Sequence, residues 1–259
     1  MVFIGSYALF DFVFLAPGLL LAAFFGSLIQ RIAGMGFGIA VSGFALATYD
    51  PFTAVYVSAI VGMGVTLVTL IQLRGHVVWS ATLPLLPPLM IFMLLGFWLA
   101  HMYGQIPLVR SAFQAFGLFL IILALATLLR GNRPGHSPLM ARPWIGGSFS
   151  GLMSGTVGMP GPTIAPYFYD RGIVGTAFVA SICPMFFITS SSRVVLGAGV
   201  NFQSQDLQIA LAGAGLAVLA VFVGGWISHL FSARMQRGMI IGLALIAAGR
   251  LAHALLSNT

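Results

Sequence analysis

The amino-acid sequence predicts an all-α polytopic membrane protein made of two inverted repeats, each a re-entrant, broken helical hairpin followed by three transmembrane helices. Three observations lead there. The chain is 59% hydrophobic and only 6% charged over 259 residues, which lies outside the range of soluble domains. Six runs, 51 to 73, 84 to 103, 109 to 129, 174 to 192, 207 to 230 and 238 to 257, match the roughly 20 apolar residues that cross a hydrocarbon core. Two glycine-rich breaks, Gly34-Met35-Gly36-Phe37-Gly38 and Gly158-Met159-Pro160-Gly161-Pro162, interrupt otherwise lipid-soluble sequence at corresponding places.

Internal matching divides the chain. "GFWLAHMY" (Gly96 to Tyr103) recurs as "GGWISHLF" (Gly224 to Phe231), Arg110 matches Arg237, and "YD" follows each break at Tyr49-Asp50 and Tyr169-Asp170. Residues 12–130 form the first repeat, 131–143 a polar linker, and 144–257 the second repeat. In this matching Arg74, ending one span, takes the place of Arg193.

Charge fixes the expected topology. Eleven arginines and no lysine face four aspartates and no glutamate, an excess that reads as membrane orientation rather than nucleic-acid binding. Linker residues Arg130, Arg133 and Arg142 and loop residues Arg234 and Arg237 all belong on the cytoplasmic side. Only two long spans separate them, so the second broken segment must enter and leave by one face. The same logic places Arg74 and Arg171 inside, Arg110 and Arg193 outside, and both termini outside. The first hairpin then dips from outside and the second from inside, the arrangement of alternating-access carriers with a site near the midplane. The start, "MVFIGSYALFDFVF", has neither a basic leader nor a small-residue cleavage site, so the N-terminus is expected to be retained.

The breaks carry the functional reading. In hydrocarbon an unpaired backbone amide costs several kcal/mol, so irregular backbone survives only inside protein or beside a wet cavity. Short helices are expected to restart near Ile39 and Thr163, and their first N–H groups and positive dipole ends favour an anion. Gln30 and Arg31 precede the first break; Ser154, Gly155, Thr156 and Thr163 surround the second. The expected anion site is therefore Gln30, Arg31, Gly34, Met35, Gly36 and Gly38 with Ser154, Gly155, Thr156, Gly158, Met159, Pro160, Gly161 and Thr163, and Arg31 supplies its fixed charge. No acidic residue lies in either hairpin core, which disfavours a cation substrate.

The remaining polar residues receive structural roles. Arg193 reads as an outer-interface anchor, and Arg250 as pairing with Asp206 or a lipid headgroup. Asp50 and Asp170 read as helix caps, and Trp98, Trp226, His101 and His229 as members of the interfacial belt. The single cysteine, Cys183, excludes an internal disulfide and a cysteine-built metal site, and no cofactor or metal is expected.

The segments "RIAGMGFGIAVSGFAL", "LRGHVVWSATLPLL", "GLMSGTVGMPGPTIAPYF" and "GVNFQSQDLQIALAGAGLAVLAVFVGGWIS", in this order, resemble the sulfite exporter TauE/SafE family. The resemblance spans essentially the whole chain. It implies a bacterial plasma-membrane protein that transports sulfur-containing oxyanions and organosulfonates such as sulfite or sulfoacetate. The family's glycine-rich segments fall on Gly34, Gly36 and Gly38 and on Gly155, Gly158 and Gly161, while Pro160 and Pro162 stand where members often carry glycine. The reading is a transporter and not an enzyme, exporting a small anion by alternating access, with oligomeric state left open. Alternatives are an anion channel, an uptake permease, and an intramembrane hydrolase using the serine of "GLMSG" with His253 as base.

Overall fold

A computed structural model of the chain describes residues 4–130, 142–198 and 204–257, and every regular element among them is helical. The linker from 131 to 141, with Arg133, lies outside the described residues. The chain is an all-α polytopic membrane protein.

Helix α1 (Ile4–Ala33) ends at the first break, a π-helical turn (Gly38–Ser42) follows, and α2 (Gly43–Thr48) completes the segment. The segment folds back on itself. Gly36 meets Ile29, Gly26 meets Phe37 and Ala40, and Gly18 meets Phe44, so the two arms run antiparallel.

Helix α3 (Pro51–Leu73) opens with Asp50 in extended backbone, whose Oδ1 accepts from the amides of Phe52 at 3.0 Å and Thr53 at 3.2 Å. Asp50 is thus the expected cap. A 3₁₀ turn (Arg74–His76) leads into α4 (Trp79–Thr82), a second 3₁₀ turn (Leu83–Leu85) and α5 (Leu86–Tyr103). Prolines at the first positions of the second turn and of α5 lack the N–H that a continuous helix would use, which explains the segmentation. Helix α6 (Pro107–Arg130) has 24 residues. At 1.5 Å per residue that is about 36 Å, long enough to cross.

In the second half α7 (Pro143–Val157) and α8 (Gly161–Tyr169) flank the other break. The nine residues of α8 reach only about 14 Å, well short of a bilayer core of roughly 30 Å. This segment also turns back, since Ser150 Oγ donates to the carbonyl of Pro160 at 2.9 Å. Helices α9 (Gly175–Gly197), α10 (Ser204–Ile227) and α11 (Ala233–Ser257) complete the chain, and a 3₁₀ turn (Ser228–Leu230) follows α10.

Two sequence expectations are corrected here. Asp170 does not cap the helix that follows it. Helix α9 starts at Gly175 behind Val174, in extended backbone and with no side-chain cap. Nor does the span at 174 to 192 stop before Arg193; it continues to Gly197 because that side chain turns inward.

Glycine contacts give the packing directions. Along α7, Gly147, Gly151 and Gly155 repeat every four residues and lie against the backbone of Leu85, just before α5, and of Leu89 and Met93 in α5, as small residues do where membrane helices approach closely. Helix α10 packs on α1 through Gly213 beside Ala23 and Gly224 beside Leu28, and on α3 through Gly213 beside Val61 and Val218 beside Gly64. In these pairs α1, α3 and α10 run one way, and α7 runs with α5, which reverses after α3. The two broken segments therefore enter from opposite ends of the bundle.

Candidate functional site

The two breaks meet. Gly34 (φ +82°) and Gly36 (φ +147°) hold backbone that L side chains rarely adopt, and Gly158 (φ +75°) does so in the second segment. Both helices stop by a glycine cap. The amide of Gly34 donates to the carbonyl of Gln30 at 2.8 Å, and the amide of Met159 reaches back to the carbonyl of Met153 at 3.3 Å. Across the gap Ser42 Oγ donates to the carbonyl of Gly158 at 2.9 Å. A Cβ on Gly158 would sit 2.6 Å from Ser42 Oγ and 2.8 Å from Ser58 Oγ, so this crossing admits only glycine.

A cavity of ≈ 30 Å³ lies at this junction. Of the residues expected at the site, Gln30, Met35, Gly36 and Gly38 from the first segment and Gly158, Met159, Pro160 and Gly161 from the second line it. The walls are completed by Gly62 and Thr66 of α3 and by Phe186, Thr189, Ser190 and Arg193 of α9.

The other expected residues are placed differently. Gly34 packs on Phe178 and Val179, and Gly155 on the α5 backbone. The Thr156 hydroxyl donates to its own helix at Leu152 O, and the Thr163 hydroxyl donates to Pro160 O. Ser154 is fully buried with no partner for its Oγ, and its carbonyl faces α9.

Arg31 departs most from expectation. Its Nε donates to Gln72 Oε1 at 3.0 Å and its side chain rests on Gly224 and Gly225 of α10, away from the cavity. The reason is helical rotation: Gln30 faces the cavity, and the next residue is turned by about 100°.

The charge in the cavity wall belongs instead to Arg193, which is no interface anchor. It is 3% exposed. Its Nε donates to Thr189 O at 3.2 Å, Nη1 to Ser154 O at 2.9 Å and Nη2 to Ser190 Oγ at 3.2 Å. All three acceptors are neutral, and among the described residues no carboxylate joins them. A buried guanidinium held this way has N–H groups to spare and a charge without a counter-ion. Nearby, Gln30 Nε2 and Ser154 Oγ are buried without partners. The signal for Arg193 was present in sequence: Phe186, Thr189, Ser190 and Arg193 form one stripe at helical spacing, and a polar stripe on an apolar helix faces protein.

Other polar residues sit apart from the site. Arg250 lies over the Phe44 ring at 5.8 Å and makes no ion pair with Asp206 among the described residues. His101 packs on Phe52, with ring centroids 4.7 Å apart. Trp98 and Trp226 are exposed at span ends. His253 is exposed on α11 while Ser154 is fully buried, so no serine–histidine pair forms. No cluster of three metal-ligating side chains occurs among the described residues.

Helical spans both long and apolar enough to cross a bilayer, at Pro51–His76, Trp79–Tyr103, Gly175–Gly197, Asp206–Leu230 and Gly238–Ser257, surround two broken segments and the buried Arg193. That is the class of a multi-pass membrane transporter. The family model described as "Sulfite exporter TauE/SafE" matches residues 19–251, and the chain belongs to that family. Neither the curated proteins nor the solved structures contain a match to it.

Proposed function

We propose that the protein exports a small sulfur-containing oxyanion, sulfite or an organosulfonate, by alternating access, with the anion held between the two tips against Arg193. The observation that carries this reading is the buried guanidinium with three neutral acceptors and, among the described residues, no acid. An oxyanion supplies the missing counter-charge, and charge-assisted hydrogen bonds to it are the strong kind. Gln30 Nε2 is an unused donor in the same wall.

The inverted-repeat organisation, 12–130 and 144–257, is part of the proposal. A shift of 124 residues carries Gly34 to Gly158, both at positive φ, and Met35 to Met159, both in the cavity wall. The same shift carries α3 onto α9, helices of 23 residues each, and Thr66 onto Ser190. It also carries Leu28 to Leu152. Gly224 meets Leu28 O, and Gly96, its sequence match, meets Leu152 O. In this register the repeat partner of Arg193 is Thr69 rather than Arg74, so the site has one charge and not two.

The cavity of ≈ 30 Å³ has room for about one water molecule, so it represents an occluded arrangement that must widen to admit cargo. Export of an anion needs no coupling carboxylate. One negative charge leaving an inside-negative cell releases about 2.3 kcal/mol per 100 mV.

The test is sulfite-dependent thermal stabilisation of the purified protein, with Arg193→Gln beside wild type. Stabilisation of wild type and its loss in a folded Arg193→Gln protein support the reading. Equal stabilisation of both removes Arg193 from the site.

A further inference from the structure

The repeat register exposes a difference between the two ends of the transport path. At the end bearing Trp98, α5 stands away from α9, and Phe52, Leu94, Phe97, Trp98, His101 and Leu196 surround a cavity of ≈ 310 Å³. At the opposite end, bearing Arg74, the matching helices are α10 and α3. Phe97 corresponds to Gly225 and Leu196 to Gln72. Here the space is filled. A Cβ built on Gly225 would lie 3.3 Å from Arg31 Nη2 and 3.5 Å from Gln72 Oε1, and the Arg31 Nε to Gln72 Oε1 bond spans 3.0 Å.

That bond joins two bodies. Arg31 belongs to α1, which packs along α10, whereas Gln72 belongs to α3, which carries cavity residues Gly62 and Thr66. For the Arg74 end to open, α10 and the first hairpin must part from α3, and the Arg31 bond must break. At the other end Arg193 makes the corresponding bridge, from α9 to the Ser154 carbonyl on α7. The two bridges differ in one respect: Arg193 lines the cavity, where cargo can compete for it, and Arg31 does not.

We propose that Arg31 and Gln72 form the latch that keeps the Arg74 end of the path shut, so that Arg31 is a gating residue and not a cargo ligand. The proposal rests on the transport reading for its purpose, but the latch itself is testable without cargo. Cys183, the chain's single cysteine, is fully buried on α9. It lies between Val179, which packs on Leu73 near the Arg74 end, and Phe186 of the cavity wall, at helical spacing on one stripe. Its reaction with a small maleimide therefore reports opening of this end.

The experiment measures the rate of Cys183 alkylation by N-ethylmaleimide in the 259-residue chain in lipid vesicles. Gln72→Leu and Gln72→Met, at an exposed position, each remove the bond while keeping the Arg31 charge, which acts on Cys183. Both are expected to react about tenfold faster than wild type, with a thermal midpoint lowered by no more than roughly 4 °C. Gln72→Glu converts the bond to an ion pair and is expected to react more slowly than wild type. Wild-type rates in both deletions, or a Gln72→Glu rate as fast as that of Gln72→Leu, overturn the latch. Sulfite efflux from the same vesicles separates the two ideas: absent flux in wild type defeats the transport reading while the alkylation rates still judge the latch.

Discussion

Arg31 lies beside the first break in sequence and Arg193 beside both breaks in space, and their surroundings are opposite. Arg31 follows a cavity residue directly in sequence, yet its guanidinium lies outside, bonded to an exposed glutamine. Arg193 is remote from both breaks in sequence, yet its guanidinium lies in the cavity wall and donates to three neutral acceptors. Distance along a helix is a poor guide to a site, whereas angular position around it is a good one. A charge one residue off the facing stripe serves the helix next door.

The largest expected effect contrasts these two residues directly. Arg193→Gln should weaken sulfite binding by about a hundredfold, the loss of strong charge-assisted bonds. Arg31→Gln should leave binding within about threefold, because it removes no cavity donor. Removing a buried charge that has only neutral partners relieves desolvation, while Ser154 O and Ser190 Oγ lose a donor, so the two effects oppose and Arg193→Gln should melt within roughly 4 °C of wild type. Titrations with sulfite followed by thermal midpoint would give both quantities. Lost binding in the Arg31 variant with retained binding in the Arg193 variant would reverse the assignment.

Next comes the contrast between the glycines of the second tip. Gly158→Leu forces a side chain into positive φ and onto two serine hydroxyls, a combination worth several kcal/mol and expected to abolish folded protein. Gly161→Ala meets only Met35 Cγ at 3.9 Å and should be tolerated. Gly36→Leu, with Ile29 Cγ2 at 2.9 Å and Gly26 O at 3.2 Å, should behave like Gly158→Leu. Yield of monodisperse protein on size-exclusion chromatography ranks the three.

Why the sequence disclosed some of this and not the rest follows from what each residue depends on. The spans depend on composition alone, and α3 runs from Pro51 to Leu73 as the apolar run predicts. The breaks depend on local backbone, so glycine spacing located Gly34, Gly36 and Gly158, all now at positive φ. The Asp50 cap is likewise local and was legible; Asp170 in the matching place was misread because α9 starts several residues later, after Val174. The cavity wall depends on tertiary placement. Ser190, Thr189 and Thr66 reach it only because α3 and α9 cross beside the tips, and Gly62 lets Ser190 Oγ come within 3.1 Å of where its Cβ would stand. Thr156 and Thr163, donors in the sequence reading, are instead spent on neighbouring carbonyls.

A smaller effect distinguishes charge from polarity within the cavity. Gln30→Leu keeps Arg193 and its three bonds but deletes the unpartnered Nε2 donor. Sulfite affinity should fall by about tenfold, the weight of one hydrogen bond to a charged group. The unliganded protein should be no less stable, since a buried amide with an unmet donor is itself a cost. Unchanged affinity would show that the donor faces the cavity without touching cargo.

The smallest expected effect concerns the single side-chain bond between the tips. Ser42→Ala removes the hydroxyl that donates to Gly158 O across the break and leaves that carbonyl buried without this donor. The cost should be about 1 kcal/mol, which for a helical protein of this size is a shift of roughly 2–4 °C in thermal midpoint. Its effect on transport tests a different point. If the tips must separate for the cavity to widen, a weaker tie lowers the barrier to opening, and sulfite efflux should rise modestly while stability falls. If the tips move as one piece, stability falls and efflux is unchanged. The sign of the efflux change in Ser42→Ala thus decides whether this bond is broken in the transport cycle or kept throughout it.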